Sequence, residues 1–231
     1  IAKVLNENFS DLSVSIDGLK AVHDKNRIYT SGEGSYDKIL ENIEKSGIEK
    51  SRIRVRMTIM AESSSYFKSS VENLLDNGFY YIVPAVAAND NAWSEETFEQ
   101  LQKGVESLLE NGGSKLEFIK RLINEKHILT KCVGGIKTFN ISVDKKVYPC
   151  EYIVGNVDFS IGTVYSPQKV FERNRELTKL YENSNEGKCE TCSYSEFCEA
   201  TRCKYYNFIN SGHLLKPSDN QCMIEHLKYR M

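Results

Sequence analysis

The 231-residue chain has no hydrophobic run close to the roughly 18 residues that a membrane-spanning helix needs. Its mean hydropathy is −0.44, which excludes a membrane protein. The formal net charge is only −2, so the chain lacks the basic excess typical of nucleic-acid binders. No secretory signal is visible, because the N-terminal residues are polar and mixed. We therefore expect a cytoplasmic protein that binds neither membranes nor nucleic acid.

Cysteine is absent from the first 131 residues, and all seven cysteines lie between Cys132 and Cys222. An odd number fits a closed set of disulfides poorly, and a chain of this length can bury a core without them. Soft thiolate ligands favour zinc or iron–sulfur clusters instead. The feature to explain is therefore a set of metal-binding thiols that is confined to the second half of the sequence.

The spacing of the cysteines leaves zinc and iron–sulfur clusters open. Cys189-Glu-Thr-Cys192 has a two-residue spacer that lets both thiolates face one metal centre, and both kinds of site use it. A zinc site with four thiolates would leave three cysteines over, although His213 or His226 could complete a second site. Two cluster sites, one with four cysteines and one with three, would use all seven.

Strands alternate with helices in the first half of the chain. Strict alternation of apolar residues predicts a strand over 52–60, and strands are also predicted over 12–16 and 80–86. Helical stripes are predicted over 36–43, 67–75 and 98–109. A further helix is predicted over 116–125. Short connections in this order predict a parallel α/β fold. Three units are too few for a closed eight-stranded barrel, so we expect an open sheet or an incomplete barrel.

The predicted strand over residues 52–60 carries Arg54 and Arg56 on one face. A parallel strand buried on both faces should be almost entirely apolar. The arginines therefore indicate either that this face borders a polar cavity or that the strand lies at an edge with its arginines in solvent.

The second half of the chain has a different sequence pattern. Residues 138–143 and 147–150 alternate around Asp144-Lys145-Lys146 and predict a hairpin that ends at Cys150. Helices are predicted over 168–181, behind Pro167, and over 205–209, with loops elsewhere. Such a fold is organised by metal ligands more than by a large core. We place the domain boundary near 126–131, which gives domains 1–131 and 132–231.

Four segments of the chain form a recognisable pattern: Ser13-Val-Ser-Ile-Asp-Gly18, His23-Asp-Lys-Asn-Arg27, Gly32-Glu-Gly-Ser-Tyr36 and Cys132…Val-Tyr-Pro-Cys150…Cys189-x2-Cys192-x5-Cys198-x4-Cys203…Cys222. The cysteine order resembles the SPASM domain, the auxiliary-cluster domain at the C-terminus of many radical S-adenosylmethionine (SAM) enzymes. The first three segments are similar to the middle of the radical SAM barrel, around its fourth strand. The resemblance covers nearly the whole chain and implies a partial, TIM-like α/β barrel followed by a cysteine-rich domain with a hairpin and loops.

Three departures from the family pattern stand out. Lys145 occupies the place of a glycine in the hairpin turn, and four residues instead of three separate Cys198 from Cys203. The motif of three cysteines spaced three and two residues apart, which holds the SAM-cleaving cluster in the family, is absent. We therefore expect the chain to be a C-terminal fragment of a longer enzyme and not to cleave SAM as given.

The resemblance implies two auxiliary [4Fe–4S] clusters, and in the full-length parent also SAM and a third cluster. A set of three thiolates leaves one iron position open, and it could be filled equally by substrate, water or a neighbouring side chain. The implied ligands are Cys132, Cys150 and Cys203 for the cluster nearer the barrel, and Cys189, Cys192, Cys198 and Cys222 for the distal cluster.

The other candidate residues also come from the resemblance. Glu151 follows Cys150 where the anaerobic sulfatase-maturating enzymes have a catalytic aspartate, and it is either a base or a structural carboxylate. The remaining candidates for SAM or substrate binding are Ser13, Ser15 and Asp17, at the carboxyl end of a strand, and Arg27, Arg54 and Arg56, as partners for a carboxylate.

The implied function is modification of a peptide or protein by a radical SAM/SPASM enzyme. Thioether-type peptide maturation is favoured and formylglycine formation in sulfatases comes next. The alternatives are an iron–sulfur electron-transfer or binding module without catalysis of its own and a zinc-stabilised interaction domain. The expected partners are a peptide or protein substrate, a reductant such as flavodoxin or ferredoxin, and a second copy paired through the exposed edge of the sheet.

Overall fold

The computed structural model describes residues 1–87, 89–112, 132–181 and 189–229. Within them, residues 1–112 and 132–226 fall into two compact units. The predicted helix over 116–125 and the predicted boundary at 126–131 lie outside the described residues, so the division at residue 131 stays a prediction. In these described ranges, we find no helix with the length and apolar character needed to cross a membrane.

The first unit contains the three predicted strands and the three predicted helices of residues 36–109. Two short helices that the sequence patterns did not predict precede and follow the first strand. One of them buries no residue and the other buries only His23, so neither shows an apolar stripe. The elements are α1 (Ala2–Asn8), β1 (Leu12–Ser15), α2 (Lys20–Asn26), α3 (Tyr36–Ser46), β2 (Ile53–Ile59), α4 (Phe67–Asp76), β3 (Tyr81–Val86) and α5 (Glu95–Gly112).

The strands of the first unit form a parallel sheet in the order β1-β2-β3. One face of β2 is apolar and buried, because every second residue from Ile53 to Ile59 lies in the core. Apolar residues of α4 and α5, among them Leu74 and Leu101, are fully buried as well. Burial of these stripes accounts for the clarity of the strand and helix patterns in the sequence.

The other face of the sheet carries the two arginines, and β2 is the central strand. The interpretation of β2 as an edge strand is therefore wrong. Arg54 Nη2 lies 2.9 Å from Asp11 Oδ2, and the guanidinium lies over the ring of Tyr81, 4.9 Å from its centroid. The side chain of Arg56 is exposed. A central strand tolerates both arginines because their charged ends reach a carboxylate or solvent.

The second unit contains a small antiparallel sheet in the order β4-β5-β6, which includes the predicted hairpin. Its apolar core is small and is formed by Val147, Ile153, Phe159, Ile161, Val170 and Tyr205. The elements are β4 (Asn140–Ile141), β5 (Lys146–Tyr148), β6 (Gly162–Thr163), α6 (Pro167–Tyr181), α7 (Glu199–Arg202), α8 (Lys204–Ser211) and α9 (Asp219–Lys228).

The expectation of loops beyond residue 209 is wrong, because α9 is a ten-residue helix. Its buried residues are Gln221, Ile224 and Glu225, so its buried face is mostly polar. A polar buried face produces no hydrophobic period, which explains why the sequence pattern did not predict this helix.

Lys145 in the hairpin turn has a positive φ of 66°, a conformation in which a Cβ is unfavourable. We expect Lys145→Gly to raise the unfolding free energy by up to about 1 kcal/mol, because glycine adopts this conformation without strain. The contact of Lys145 Nζ with the Tyr165 ring, 5.3 Å from its centroid, offsets part of the gain. Thermal unfolding measures this change in stability. Lys145→Ala is the control, because alanine keeps the unfavourable positive φ. An equal increase of the unfolding free energy in both variants would contradict the prediction.

Candidate metal centres

Four of the seven cysteines line one cavity in the second unit. The cavity has a volume of about 330 Å³, which is in the range of sites for small cofactors. Its four cysteines are the set that the resemblance implies for the distal cluster. The residues that line it are Cys189, Thr191, Cys192, Ser193, Ser195, Cys198, Pro217, Cys222 and His226.

Short local structures position these four thiols. The Cys192 amide lies 3.4 Å from the Cys189 carbonyl oxygen, so the two-residue spacer forms a turn. The Cys198 amide donates to the Tyr194 carbonyl at 2.8 Å, and Cys198 directly precedes α7. Cys222 lies in α9, four residues before His226, so both side chains project from the same face of the helix.

From the sequence, His226 is a candidate only for a zinc ligand. In the structure its side chain contacts Cys192. Its Nε2 lies 3.6 Å from the Sγ of Cys192, within hydrogen-bond distance for sulfur. The ring of Tyr194 meets the His226 ring edge-on, with centroids 5.2 Å apart. The spacing of four residues between Cys222 and His226 could have indicated this face, but only if a helix had been predicted there.

The chemistry of the cavity fits an iron–sulfur cluster. Burial raises the pKa of the Cys189 thiol, and the charge of Cys192 raises it further, so the site disfavours uncompensated thiolates. In the described part of the chain, no three His, Cys, Asp or Glu side chains converge tightly enough to hold a single metal ion. A cubane cluster needs a different arrangement, with four thiolates around a cavity that is filled by the cluster itself.

The remaining cysteines, Cys132, Cys150 and Cys203, form a second group. Their thiols are close enough for the charges of Cys132 and Cys203 to act on Cys150. Gly134 allows Cys132 to lie close to the hairpin: a Cβ on Gly134 would lie 2.6 Å from the Pro149 carbonyl oxygen, so only glycine permits this approach. The four residues between Cys198 and Cys203 form the single turn of α7, so the longer spacer is accommodated in a helix.

Backbone amides support the second group. Burial raises the pKa of the Cys150 and Cys203 thiols, while hydrogen bonds from the amides of Tyr152 and Tyr206 lower it. The rings of these two tyrosines pack against each other with centroids 5.0 Å apart. Amide hydrogen bonds to sulfur are one of the protein features that tune iron–sulfur clusters. Glu151 lies beside this group, because its charge acts on both thiols, but its side chain is exposed.

The parallel sheet brings four of the other candidates to one face. Ser13 is paired in register with Arg54, and Ser15 with Arg56, so these four side chains share the polar face of the sheet. Ser13 and Arg56 are exposed, and Ser15 and Arg54 are half-buried.

Asp17 and Arg27 bind each other at the carboxyl end of this sheet. Arg27 donates from Nε to Asp17 Oδ2 at 2.6 Å and from Nη2 to Asp17 Oδ1 at 2.9 Å. The amide of Thr58 in β2 also donates to Oδ1 at 2.8 Å, so protein donors occupy both oxygens of this buried carboxylate. Asp17 therefore joins β1 to β2 and orients Arg27, whose side chain is 31% exposed.

His23 is fully buried beside this pair. Its Nδ1 accepts a hydrogen bond from the Asp17 amide at 3.2 Å, so in the neutral ring Nε2 carries the proton and donates to Ser35 Oγ at 3.0 Å. Ser35 Oγ in turn donates to the Arg27 carbonyl at 2.8 Å. Burial lowers the pKa of His23, and the charge of Asp17 opposes this effect only in part.

Protonation of His23 predicts a pH dependence of stability. Because its pKa in the folded state lies below the ordinary value of 6.5, the unfolded chain binds more protons as the pH falls below about 6.5. The unfolding free energy of the first unit should therefore decrease as the pH falls from 7 to 5.5, and His23 should not change it further above about pH 7. His23→Gln should be less stable at pH 7 but should show a flatter profile; an equally steep profile in this variant would contradict the assignment.

No protein-family model matches the chain. A cysteine-type anaerobic sulfatase-maturating enzyme from Clostridium novyi (strain NT) is 25% identical over 236 aligned positions. The alignment covers 90% of this chain and 62% of the relative, so the chain spans less than two thirds of that enzyme's length.

Two solved structures share the fold. Native anSMEcpe with bound AdoMet matches with a TM-score of 0.69 at 16% identity, over 99% of this chain and 68% of that chain. Native anSMEcpe with bound AdoMet and the Cp18Cys peptide matches with a TM-score of 0.67 at 17% identity, over 99% of this chain and 69% of that chain. Sequence similarity and fold together confirm the predicted resemblance of this chain to the radical SAM/SPASM peptide maturases.

Proposed function

We propose that this chain is the part of a radical SAM/SPASM enzyme that carries two auxiliary iron–sulfur clusters and much of the SAM- and substrate-facing surface. The observation that carries the proposal is the grouping of the seven cysteines as four around one cavity and three beside the hairpin. This grouping agrees with the ligand sets that the resemblance to the SPASM domain implies. The curated relative, a sulfatase-maturating enzyme, supports a peptide or protein as substrate.

The residues of the two groups have separate roles in this proposal. Cys189, Cys192, Cys198 and Cys222 close the distal site, while the set of Cys132, Cys150 and Cys203 leaves one iron position without a cysteine ligand. The clusters supply electron transfer, and the incomplete site also supplies a position for a ligand. The amides of Tyr152 and Tyr206 donate hydrogen bonds to the three-cysteine group.

The polar face of the sheet suits SAM or a peptide carboxylate. Arg27 is oriented by the Asp17 carboxylate and still exposes part of its guanidinium, which can bind a carboxylate through paired hydrogen bonds. Ser13, Ser15, Arg54 and Arg56 extend the same polar surface along β1 and β2. The bound AdoMet of anSMEcpe supports SAM as the ligand, and its Cp18Cys complex supports a peptide beside it.

Two products are compatible with the site. Formylglycine formation is supported by the curated sulfatase-maturating relative and by Glu151, a carboxylate next to a ligand cysteine that can act as a base. Thioether formation in a peptide is the second candidate. The observation that favours it is the set of three cysteines, because an iron position without a protein thiolate can accept a substrate thiolate.

Iron and acid-labile sulfide analysis of anaerobically prepared protein tests the proposal. About eight irons and eight sulfides per chain are expected for two clusters. One or two zinc ions without sulfide would contradict it and would favour a zinc-stabilised interaction domain, for which His226 could serve as a ligand. Iron without any SAM-dependent change in a peptide, measured in a longer form of the protein if that form carries a three-cysteine SAM motif, would favour an electron-transfer module. Flavodoxin or ferredoxin would be the reductant in that assay.

A dimer through the edges of the parallel sheet is part of the same proposal. β1 and β3 each pair on one side only, to β2, within the described sheet. An unpaired strand edge is a template for pairing with another chain. Light scattering of the chain should therefore give the mass of two copies, and the mass of one copy would count against this contact.

A further inference from the structure

We propose that His226 tunes the distal cluster by donating a hydrogen bond from Nε2 to the thiolate of Cys192. The inference rests on the proposed function, since it requires a cluster in the four-cysteine cavity. It starts from the distance of 3.6 Å between His226 Nε2 and Cys192 Sγ and from the position of His226 in the lining of that cavity.

The direction of the hydrogen bond follows from the chemistry of the ligand. A cysteine bound to iron is a thiolate and has no proton to donate, so the sulfur can only accept. The imidazole must therefore carry its proton on the nitrogen that faces Cys192. The edge-on contact of the Tyr194 ring, at 5.2 Å, fixes the plane of the imidazole and keeps this nitrogen directed at the sulfur.

The hydrogen bond favours the reduced form of the cluster. Reduction adds negative charge that is shared with the ligand sulfurs, and a donor to sulfur stabilises that charge. His226 therefore raises the midpoint potential of the distal site. At the three-cysteine group, backbone amides donate the hydrogen bonds to sulfur. At the distal site the donor is the side chain of His226, so a substitution can remove this hydrogen bond.

Two variants separate the effect of the hydrogen-bond donor from the effect of the aromatic ring. His226→Phe keeps an aromatic ring for the contact with Tyr194 but has no donor, and His226→Gln keeps a donor without the ring. His213→Phe is the matched control, because His213 is exposed and does not line the cavity. Potentiometric titration of the reconstituted full chain at one fixed pH, followed by electron paramagnetic resonance, measures the midpoint potential of each cluster.

The expected result is a more negative distal potential in His226→Phe, a potential close to that of the unchanged protein in His226→Gln, and no shift in His213→Phe. An unshifted potential in His226→Phe would overturn the inference, and so would equal shifts in both His226 variants, which would point to packing. Loss of half the iron in His226→Phe would assign His226 as a ligand instead. If the unchanged protein itself lacks about eight irons, the two-cluster proposal fails, and this inference fails with it.

Discussion

Replacing Cys198 by serine is expected to lower the iron content of the anaerobically reconstituted chain from about eight to about four per molecule. Cys198 is buried, lines the four-cysteine cavity and directly precedes α7, so its thiol is held in the wall of the cavity. Serine is a harder and poorer ligand for iron than a thiolate, so the distal site loses affinity for its cluster. The three-cysteine group does not include Cys198 and should keep its cluster.

Thr191→Val is the matched control for this prediction. Thr191 lines the same cavity between Cys189 and Cys192 but is exposed and is not a thiol, so its replacement should leave the iron content unchanged. Cys203→Ser should remove the other cluster, and electron paramagnetic resonance should distinguish the two losses. Equal iron content in Cys198→Ser and in the unchanged protein would contradict the ligand assignment.

Replacing Asp17 by asparagine is expected to lower the unfolding free energy of the first unit by about 3 kcal/mol. The carboxylate is 3% exposed and accepts three hydrogen bonds, two from Arg27 and one from the Thr58 amide. Asparagine keeps the shape but removes the charge and offers at most one acceptor oxygen. The partial exposure of Arg27 places the effect at the lower end of the range for a broken buried pair.

Trp93 allows this prediction to be measured in the first unit alone. It is the chain's single tryptophan, it is buried, and its indole donates to the Ala87 carbonyl at 3.0 Å. Its fluorescence during denaturant unfolding therefore reports on this unit. Asp37→Asn is the control, because Asp37 pairs with Lys20 on the surface, and its loss should leave the midpoint unchanged. An unchanged midpoint in Asp17→Asn would contradict the structural role of Asp17.

The elements β2, α4 and α5 of the first unit could be predicted because each buries a continuous apolar stripe. In β2 every second residue is buried, and α4 and α5 bury apolar residues at helical spacing. The same argument explains why other helices were not predicted. α9 buries Gln221 and Glu225, so the helix that carries Cys222 and His226 leaves no hydrophobic period in the sequence.

Contacts between distant residues could not be predicted in this way. Asp17 accepts a hydrogen bond from the Thr58 amide, 41 positions away, and nothing local to either residue indicates this partner. The sequence leaves Arg54 either beside a polar cavity or at an edge. It lies on the central strand, which excludes the edge, and it pairs with Asp11. The polarity of a residue indicates that it needs a partner or solvent, and the topology decides which one it finds.

The sequence by itself determined that this chain has a cysteine-free α/β half and a cysteine-rich half, and through its cysteine order it determined the resemblance to radical SAM/SPASM maturases. The resemblance implied the grouping of the thiols, and only the tertiary structure decided how it arises, because the fold brings Cys203 close to Cys150 and Cys132 although Cys198 is much nearer to it in sequence. It also decided that His226 faces Cys192, since that contact requires a helix with a polar buried face. Periodicity records the burial of one element at a time, whereas a metal centre is formed by side chains from several elements.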